Sequence, residues 1–269
     1  MSQEGFHYSI LASGSSGNSF YIETDQKKIL VDAGLSGKKI TNLLAEIGRQ
    51  PEDLDAILVT HEHKDHIHGV GVLARKYGLE VYANQKTWEA IDSHQMIGNL
   101  ASEQKRVFER DKVLTFGDLD IESFGVSHDA ADPQFYRFMK DGKCFVMLTD
   151  TGYVSDRMAG IIANADGYLI ESNHDVQILR SGAYPWRLKQ RILSDKGHLS
   201  NDDGAETMIR TIGNRTKKIY LGHLSKENNI KELAHMTMEN DLARADFGVG
   251  HDFQVLDTSP DEATPLTRI

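Results

Sequence analysis

The spacing of apolar positions along the chain changes several times, and each change marks an element. Phe6–Leu11, Ser19–Glu23, Lys28–Val31 and Ala56–Val59 are β-branched or aromatic runs bounded by turn residues, which predicts four strands. Ser36–Ile47 switches to helical spacing at Ile40, Leu43, Leu44 and Ile47. A second helix is expected from about Ile67 to Tyr77, then a strand at Glu80–Ala83 and a helix at Gln85–Ser93. The pattern then restarts, with strands expected at Lys112–Thr115, Leu119–Phe124, Phe135–Met139, Lys143–Leu148, Gly167–Ile170 and Lys218–Leu221. Helices are expected at Arg157–Ala165, Trp186–Leu193, Asp202–Gly213 and Glu227–Asn240. Strands gathered into sheets with helices outside them predict an α/β fold, a layered αββα sandwich.

Composition bounds this picture. The 269 residues suit one large domain, expected over 1–256, followed by a polar tail, 257–269, that should fray. Hydrophobic residues make up 39% and charged residues 26%, an ordinary globular balance. The formal net charge of −10 argues against broad nucleic-acid binding through a basic surface, although not against a local basic groove. The single cysteine, Cys144, lies in an apolar run and rules out both an internal disulfide framework and a thiolate cluster. The start, MSQEGFHYSILASG, lacks the basic and apolar segments of a signal peptide, and no apolar run approaches the ~20 residues that span a bilayer. A cytoplasmic protein is expected, with no membrane association and no obligate protein partner visible.

The chemistry concentrates in VTHEHKDHIHG, Val59–Gly69. His61 and His63 follow an apolar strand and point the same way, because strand residues alternate. The chain must then turn for Asp65 and His66 to present a second set of ligands. H-x-H-x-D-H is therefore a spacing that can feed two adjacent ions from one loop, and neutral imidazole suits zinc and its first-row neighbours. His68 falls outside the spacing and reads as an outer or surface group. Three further residues each stand just after an apolar strand: His128, Asp150 and His223.

In this order the residues resemble the metallo-β-lactamase superfamily, which implies the four-layer αββα fold of two mixed sheets flanked by helices. The resemblance implies that His61, His63 and His128 hold one metal, that Asp65, His66 and His223 hold a second, and that Asp150 bridges them. His63 stands where the flavodiiron branch has Glu, which favours hydrolysis over oxygen chemistry. The stretches ASGSSGNSFYIE, TDTGYVS, ESNHD and GHLSNDDGAE are similar to the YycJ (WalJ) branch, whose cytoplasmic bacterial members are regarded as DNA exonucleases. Only 72 residues lie between Asp150 and His223, which is hard to reconcile with the long insertion of the RNA-processing β-CASP branch.

The expected cofactors are two divalent ions, Zn or Mn, with a bridging hydroxide as nucleophile. Asp65 can orient that hydroxide as well as bind metal. His198, in KGHLSND, is the further catalytic candidate. Similarity to a GHS stretch of tRNA 3′-processing nucleases implies that it binds the scissile phosphate or protonates the leaving oxygen. Asn173 and His174 are candidate substrate contacts; His174 can equally be an outer group oriented by Asp175. In the Ser13–Ser19 hairpin, Ser15, Ser16 and Asn18 are candidate phosphate contacts, since glycines there permit close backbone approach. Arg180, Arg187, Lys189, Arg191 and Lys196, with Tyr184 and Trp186, form the one basic, aromatic span that can track a nucleic-acid backbone. The favoured reading is a dinuclear phosphodiesterase, a 5′→3′ DNA exonuclease by resemblance. The alternative is a small-molecule hydrolase acting on a thioester, lactone or small phosphodiester. A closed, narrow pocket would favour the alternative, and a groove lined by Arg187, Lys189 and Arg191 the nuclease.

Overall fold

The structure, a computed structural model, describes residues 5–269; the first four residues of the amino-terminal stretch read above lie outside them. One sheet contains β1 (His7–Ala12), β2 (Ser19–Glu23), β3 (Lys28–Val31), β4 (Ala56–Leu58), β5 (Glu80–Ala83) and β6 (Lys105–Val107) in that order. The other contains β7 (Val113–Phe116), β8 (Leu119–Gly125), β9 (Gln134–Lys140), β10 (Lys143–Leu148), β11 (Gly167–Glu171), β12 (Lys218–Gly222) and β13 (Gln254–Asp257). A last strand, β14 (Thr267–Arg268), adds to the first sheet beside β1.

Each sheet begins as an antiparallel meander and ends as parallel strands. In the first, β1, β2 and β3 alternate in direction, while β3 to β6 run parallel. In the second, β7 to β10 alternate and β10 to β13 run parallel. The parallel crossovers are helical. On the first sheet they are α1 (Gly37–Glu46), a one-turn α2 (Lys64–Ile67), α3 (Val70–Tyr77) and α4 (Gln85–Ser93). On the second they are α5 (Asp156–Ile162), α6 (Val176–Ser181), α7 (Trp186–Ile192), α8 (Asn201–Thr211) and α9 (Lys231–Arg244). The αββα sandwich is therefore the fold of this chain.

The aromatic strand residues explain the pairing of the sheets. Tyr8 and Phe20 from the first sheet meet Phe145 from the second, at ring-centroid distances of 4.3 and 5.0 Å. Leu43, Leu73 and Trp88 cover the outer face of the first sheet against Leu30, Ile57 and Val81. Met158, Met208 and Met238 belong to the core built on the second.

Three expectations need correction. The helix expected over Ile67–Tyr77 is two pieces, because Gly69 meets the Ala33 carbonyl through its N–H at 2.7 Å and has no room for a side chain beside Leu35. The last helix starts at Lys231 rather than Glu227, because Asn228 and Asn229 bind Ser225, Ser172 and Asn201 instead. The tail does not fray. Thr264 exchanges hydrogen bonds with Ile10 (2.9 Å each way) and accepts one from Ser9 Oγ (2.6 Å), Ser259 accepts one from the Ser13 N–H (2.9 Å), and β14 pairs with β1. Backbone donors on the edge of β1 need partners, and the polar tail supplies them.

At about 1 kcal/mol for each net hydrogen bond, deleting Ser259–Ile269 is expected to lower unfolding stability by about 3–5 kcal/mol. Urea denaturation checks this; an unchanged midpoint would show that the tail only rests on the sheet.

Candidate metal centre

The parallel strands of both sheets end at one edge, and the loops leaving them carry the polar cluster, as open α/β sheets do. β3 leads into Asp32, β4 into His61, β8 towards His128, β10 into Asp150, β11 into Asn173 and β12 into His223. Asp32, Asp150 and His223 have positive φ, at 60°, 49° and 56°. Asp and His tolerate that left-handed geometry better than most residues, at a cost of about 1–2 kcal/mol each. It turns each side chain sharply off its strand into the edge.

All seven residues expected as ligands come together there. One potential ligand atom from each of His61, His63 and His128 lies within 4.8 Å of the others, and the same holds for Asp65, His66 and His223. Asp150 sits between the two sets, with its carboxylate 3.2 Å from His66 Nε2, 3.3 Å from His223 Nδ1 and 3.9 Å from His128 Nε2. A further set, Asp150, Glu171, His198 and His223, converges to the same limit.

The rings are held from behind. His66 Nδ1 donates to Asp32 (2.8 Å), whose carboxylate also accepts from the Thr60 N–H (2.9 Å) and hydroxyl (2.8 Å). His128 Nδ1 donates to the Gly197 carbonyl (3.0 Å). His223 Nδ1 donates to Glu171 (2.9 Å), as does His198 Nδ1 (2.8 Å). Such contacts fix ring orientation and tautomer. His61 Nδ1 lies 3.0 Å from the Thr60 hydroxyl, and His61 Nε2 and His223 Nε2 are buried with no hydrogen-bond partner, a costly state that a metal ion would relieve. The donor set of imidazoles and carboxylates fits a divalent cation.

Burial, with neighbouring imidazoles second, depresses the His61 pKa well below the usual value, so that ring is neutral. Burial likewise lowers that of His128. Burial also opposes charge on His66 and His223, but Asp150 and the other nearby carboxylates outweigh it. His66 is pushed well above the ordinary value and His223 up to about 10. Metal-free protein therefore carries protons on rings that a cation must displace.

The other candidates separate clearly. Asp65, Asn173 and His198 line a cavity of about 230 Å³ beside the cluster, and Ser15 reaches its rim. Ser16 is exposed in a neighbouring hollow. Asn18 lines neither; it is buried, with its N–H on the Asp65 carbonyl (2.8 Å) and its amide 3.2 Å from His66 Nε2. His174 is also buried and lines neither cavity; its Nδ1 lies 3.3 Å from the Asn173 amide oxygen, not on Asp175, which caps α6. In the basic span, Lys189 is buried, with Nζ donating to the Arg180 (2.7 Å) and Gly182 (2.6 Å) carbonyls, so it is unavailable to phosphate. Arg191 lines the cavity and pairs with Asp129. Tyr184, Leu188 and Ile192 form the apolar wall beside it. Glu171 and Asp32 were not anticipated; a Glu ending YLIE and an Asp ending ILVD read as ordinary strand-end residues.

Comparison with known proteins agrees with this geometry. The beta-lactamase superfamily domain matches residues 27–224. The chain is 78% identical, over the full length of both proteins, to exodeoxyribonuclease WalJ of Streptococcus pneumoniae serotype 2. It is 54% identical to exodeoxyribonuclease YycJ of Bacillus anthracis, covering 98% of this chain and all of that protein. Among solved structures it is similar in fold to the metallo-beta-lactamase fold protein YhfI of Bacillus subtilis, with a TM-score of 0.71, 17% identity and coverage of 97% and 99%.

Metal uptake by the purified apoprotein is expected to release protons. Affinity should then rise between pH 6 and 8, by about tenfold per pH unit for each proton released. Calorimetry in buffers of different ionisation enthalpy measures this; a buffer-independent heat would show that the rings are already neutral.

Proposed function

This chain belongs to the beta-lactamase superfamily, and we propose that it is a metal-dependent exodeoxyribonuclease that cuts DNA stepwise from the 5′ end in the cytoplasm. The observation that carries the reading is the set of seven convergent side chains beneath a small polar cavity, in a chain 78% identical to a named exodeoxyribonuclease. His61, His63 and His128 would hold one divalent ion and Asp65, His66 and His223 the other, with Asp150 shared between them. Zinc and manganese both suit these nitrogen and oxygen donors. When bound, such a pair acidifies water and stabilises the charge that develops on a phosphodiester.

The chain's own residues supply the rest. Glu171 holds His198 through Nδ1, and His198 faces the cavity, where it can donate to a phosphate or leaving oxygen. The Asp65 carboxylate has Asn18 Nδ2 and His223 Nε2 at 3.5 Å, beyond ordinary hydrogen-bond length, and so keeps an edge free to orient the attacking oxygen. Tyr184, Leu188 and Ile192 exclude water from one side, and the Arg191–Asp129 ion pair ties that wall to the loop after His128. A cavity of about 230 Å³ is smaller than a typical pocket for a whole ligand, so it accepts one terminal group rather than a continuous duplex. Arg191 in the lining, with Arg187 and Trp186 exposed beside it, supports a nucleic-acid end over a thioester or lactone.

With 5′-phosphorylated, end-labelled double-stranded DNA and Mn²⁺, stepwise release of nucleotides from the 5′ end is expected. Asp150→Ala should fold normally and lose activity by about 10³-fold or more. Near-normal turnover in that variant would sink the two-ion reading, and release only from RNA or from thioesters would replace the substrate. His198→Ala is expected to keep its metal content and lose about 10²–10⁴-fold in kcat. Loss of metal instead would make His198 a ligand.

A further inference from the structure

A second hollow, of about 480 Å³, adjoins the metal cavity. The two share Ser15 and Asp65, so they adjoin across those two residues. The remaining lining of the second hollow is Ser16, Gly34, Leu35, Ser36, Lys64 and His68. Its only carboxylate is Asp65, which already faces His66 and His223. Lys64 is exposed and, among the described residues, forms no ion pair. It stands in the chain between His63 and Asp65, both of which line the metal cavity.

The floor of the hollow is rigid. A Cβ on Gly34 would lie 1.7 Å from the Asp65 carbonyl oxygen and 2.7 Å from the Asn18 nitrogen, so hairpin, Gly34 loop and Asp65 loop are in direct backbone contact. The Asn18 N–H to Asp65 carbonyl bond (2.8 Å) and the Gly34 N–H to Asn18 carbonyl bond (2.9 Å) lock them together. Leu188 and Ile192 of α7, which line the metal cavity, do not line the second hollow. A strand whose terminal phosphodiester lies in the metal cavity would reach the second hollow across Ser15 and Asp65.

We propose that this second hollow is a backbone-phosphate subsite, holding the phosphate next to the scissile one. Lys64 supplies the charge, and Ser16, Ser36 and His68 supply hydroxyl and imidazole donors. The proposal rests on the nuclease reading and extends it to where the uncut strand lies. A lysine and hydroxyls suit a diester whose charge is single and whose sequence is irrelevant.

The test compares Lys64→Ala and Lys64→Arg with the wild type on two probes. One is a 5′-phosphorylated oligonucleotide, and the other is bis(p-nitrophenyl) phosphate, too short to reach the hollow. For Lys64→Ala the KM for the oligonucleotide should rise about tenfold, the loss of one charge-assisted contact. The slope of log affinity against log salt should become shallower by about 0.7–0.9. Hydrolysis of the small ester should stay within about twofold of wild type, and Lys64→Arg should restore the salt slope. An unchanged KM and slope overturn the subsite. Equal losses on both probes also overturn it, because a change in the metal loop would act on them alike. A wild type that hydrolyses the ester but neither binds nor cuts DNA sinks the nuclease reading itself. A wild type that cuts DNA no better than Lys64→Ala sinks only the subsite.

Discussion

Asp150 is a carboxylate with almost no access to solvent, and everything around the sheet edge follows from keeping its charge there. An isolated buried carboxylate would take up a proton, because desolvation penalises the charged form. Here the attraction of His223 and His66 outweighs that penalty and holds the Asp150 pKa well below the ordinary range. Those rings need anchors of their own, which Asp32 and Glu171 provide. Their charges in turn are met by Thr60 and by the N–H groups of Thr151 (3.0 Å) and Leu199 (3.2 Å). The network is thus built outward from Asp150 through two imidazoles to two carboxylates, and its last members are neutral donors; at Asp32 burial outweighs those contacts and raises the pKa.

Such a network can exist only where many chain segments end together. The sandwich provides that place, because each parallel strand delivers its final residue to the same edge. The local price is backbone strain at Asp32, Asp150 and His223, held in place by neighbouring bonds such as the one from the His223 N–H to Ser13 Oγ (2.8 Å). Strain of this kind persists where the surroundings determine the conformation more strongly than local preference does.

These facts explain what the sequence could disclose. The ligand candidates were legible because their chemistry needs particular residue types at particular strand ends, and H-x-H-x-D-H leaves few other uses for its imidazoles. Asp32 and Glu171 were not legible, since their role depends on which ring lies behind them across the fold. Lys189 departs from expectation for the converse reason: charge places it in a basic, aromatic span but does not say that this ammonium finds two carbonyls inward. Short, polar edge strands escaped for lack of pattern. Lys105–Val107 and Thr267–Arg268 have no apolar alternation to detect, and only pairing with their neighbours defines them. The folded tail follows from the unmet hydrogen-bonding edge of β1, a feature of the assembled sheet.

The bond from Ser13 to Ser259 joins the first hairpin to the end of the chain, and Ser13 also receives the N–H of His223. During synthesis, the histidines of the first loop leave the ribosome more than 150 residues before His223 does. A growing chain that has released His61, His63 and His66 has not yet made His128, Asp150 and His223, the residues that meet them across the fold. The cluster is complete only with the residue that follows β12, and the clasp on Ser13 waits for the tail. Convergence of the seven side chains is therefore a property of the finished polypeptide, and a translation product cut short before β12 carries the first loop with part of its cluster missing.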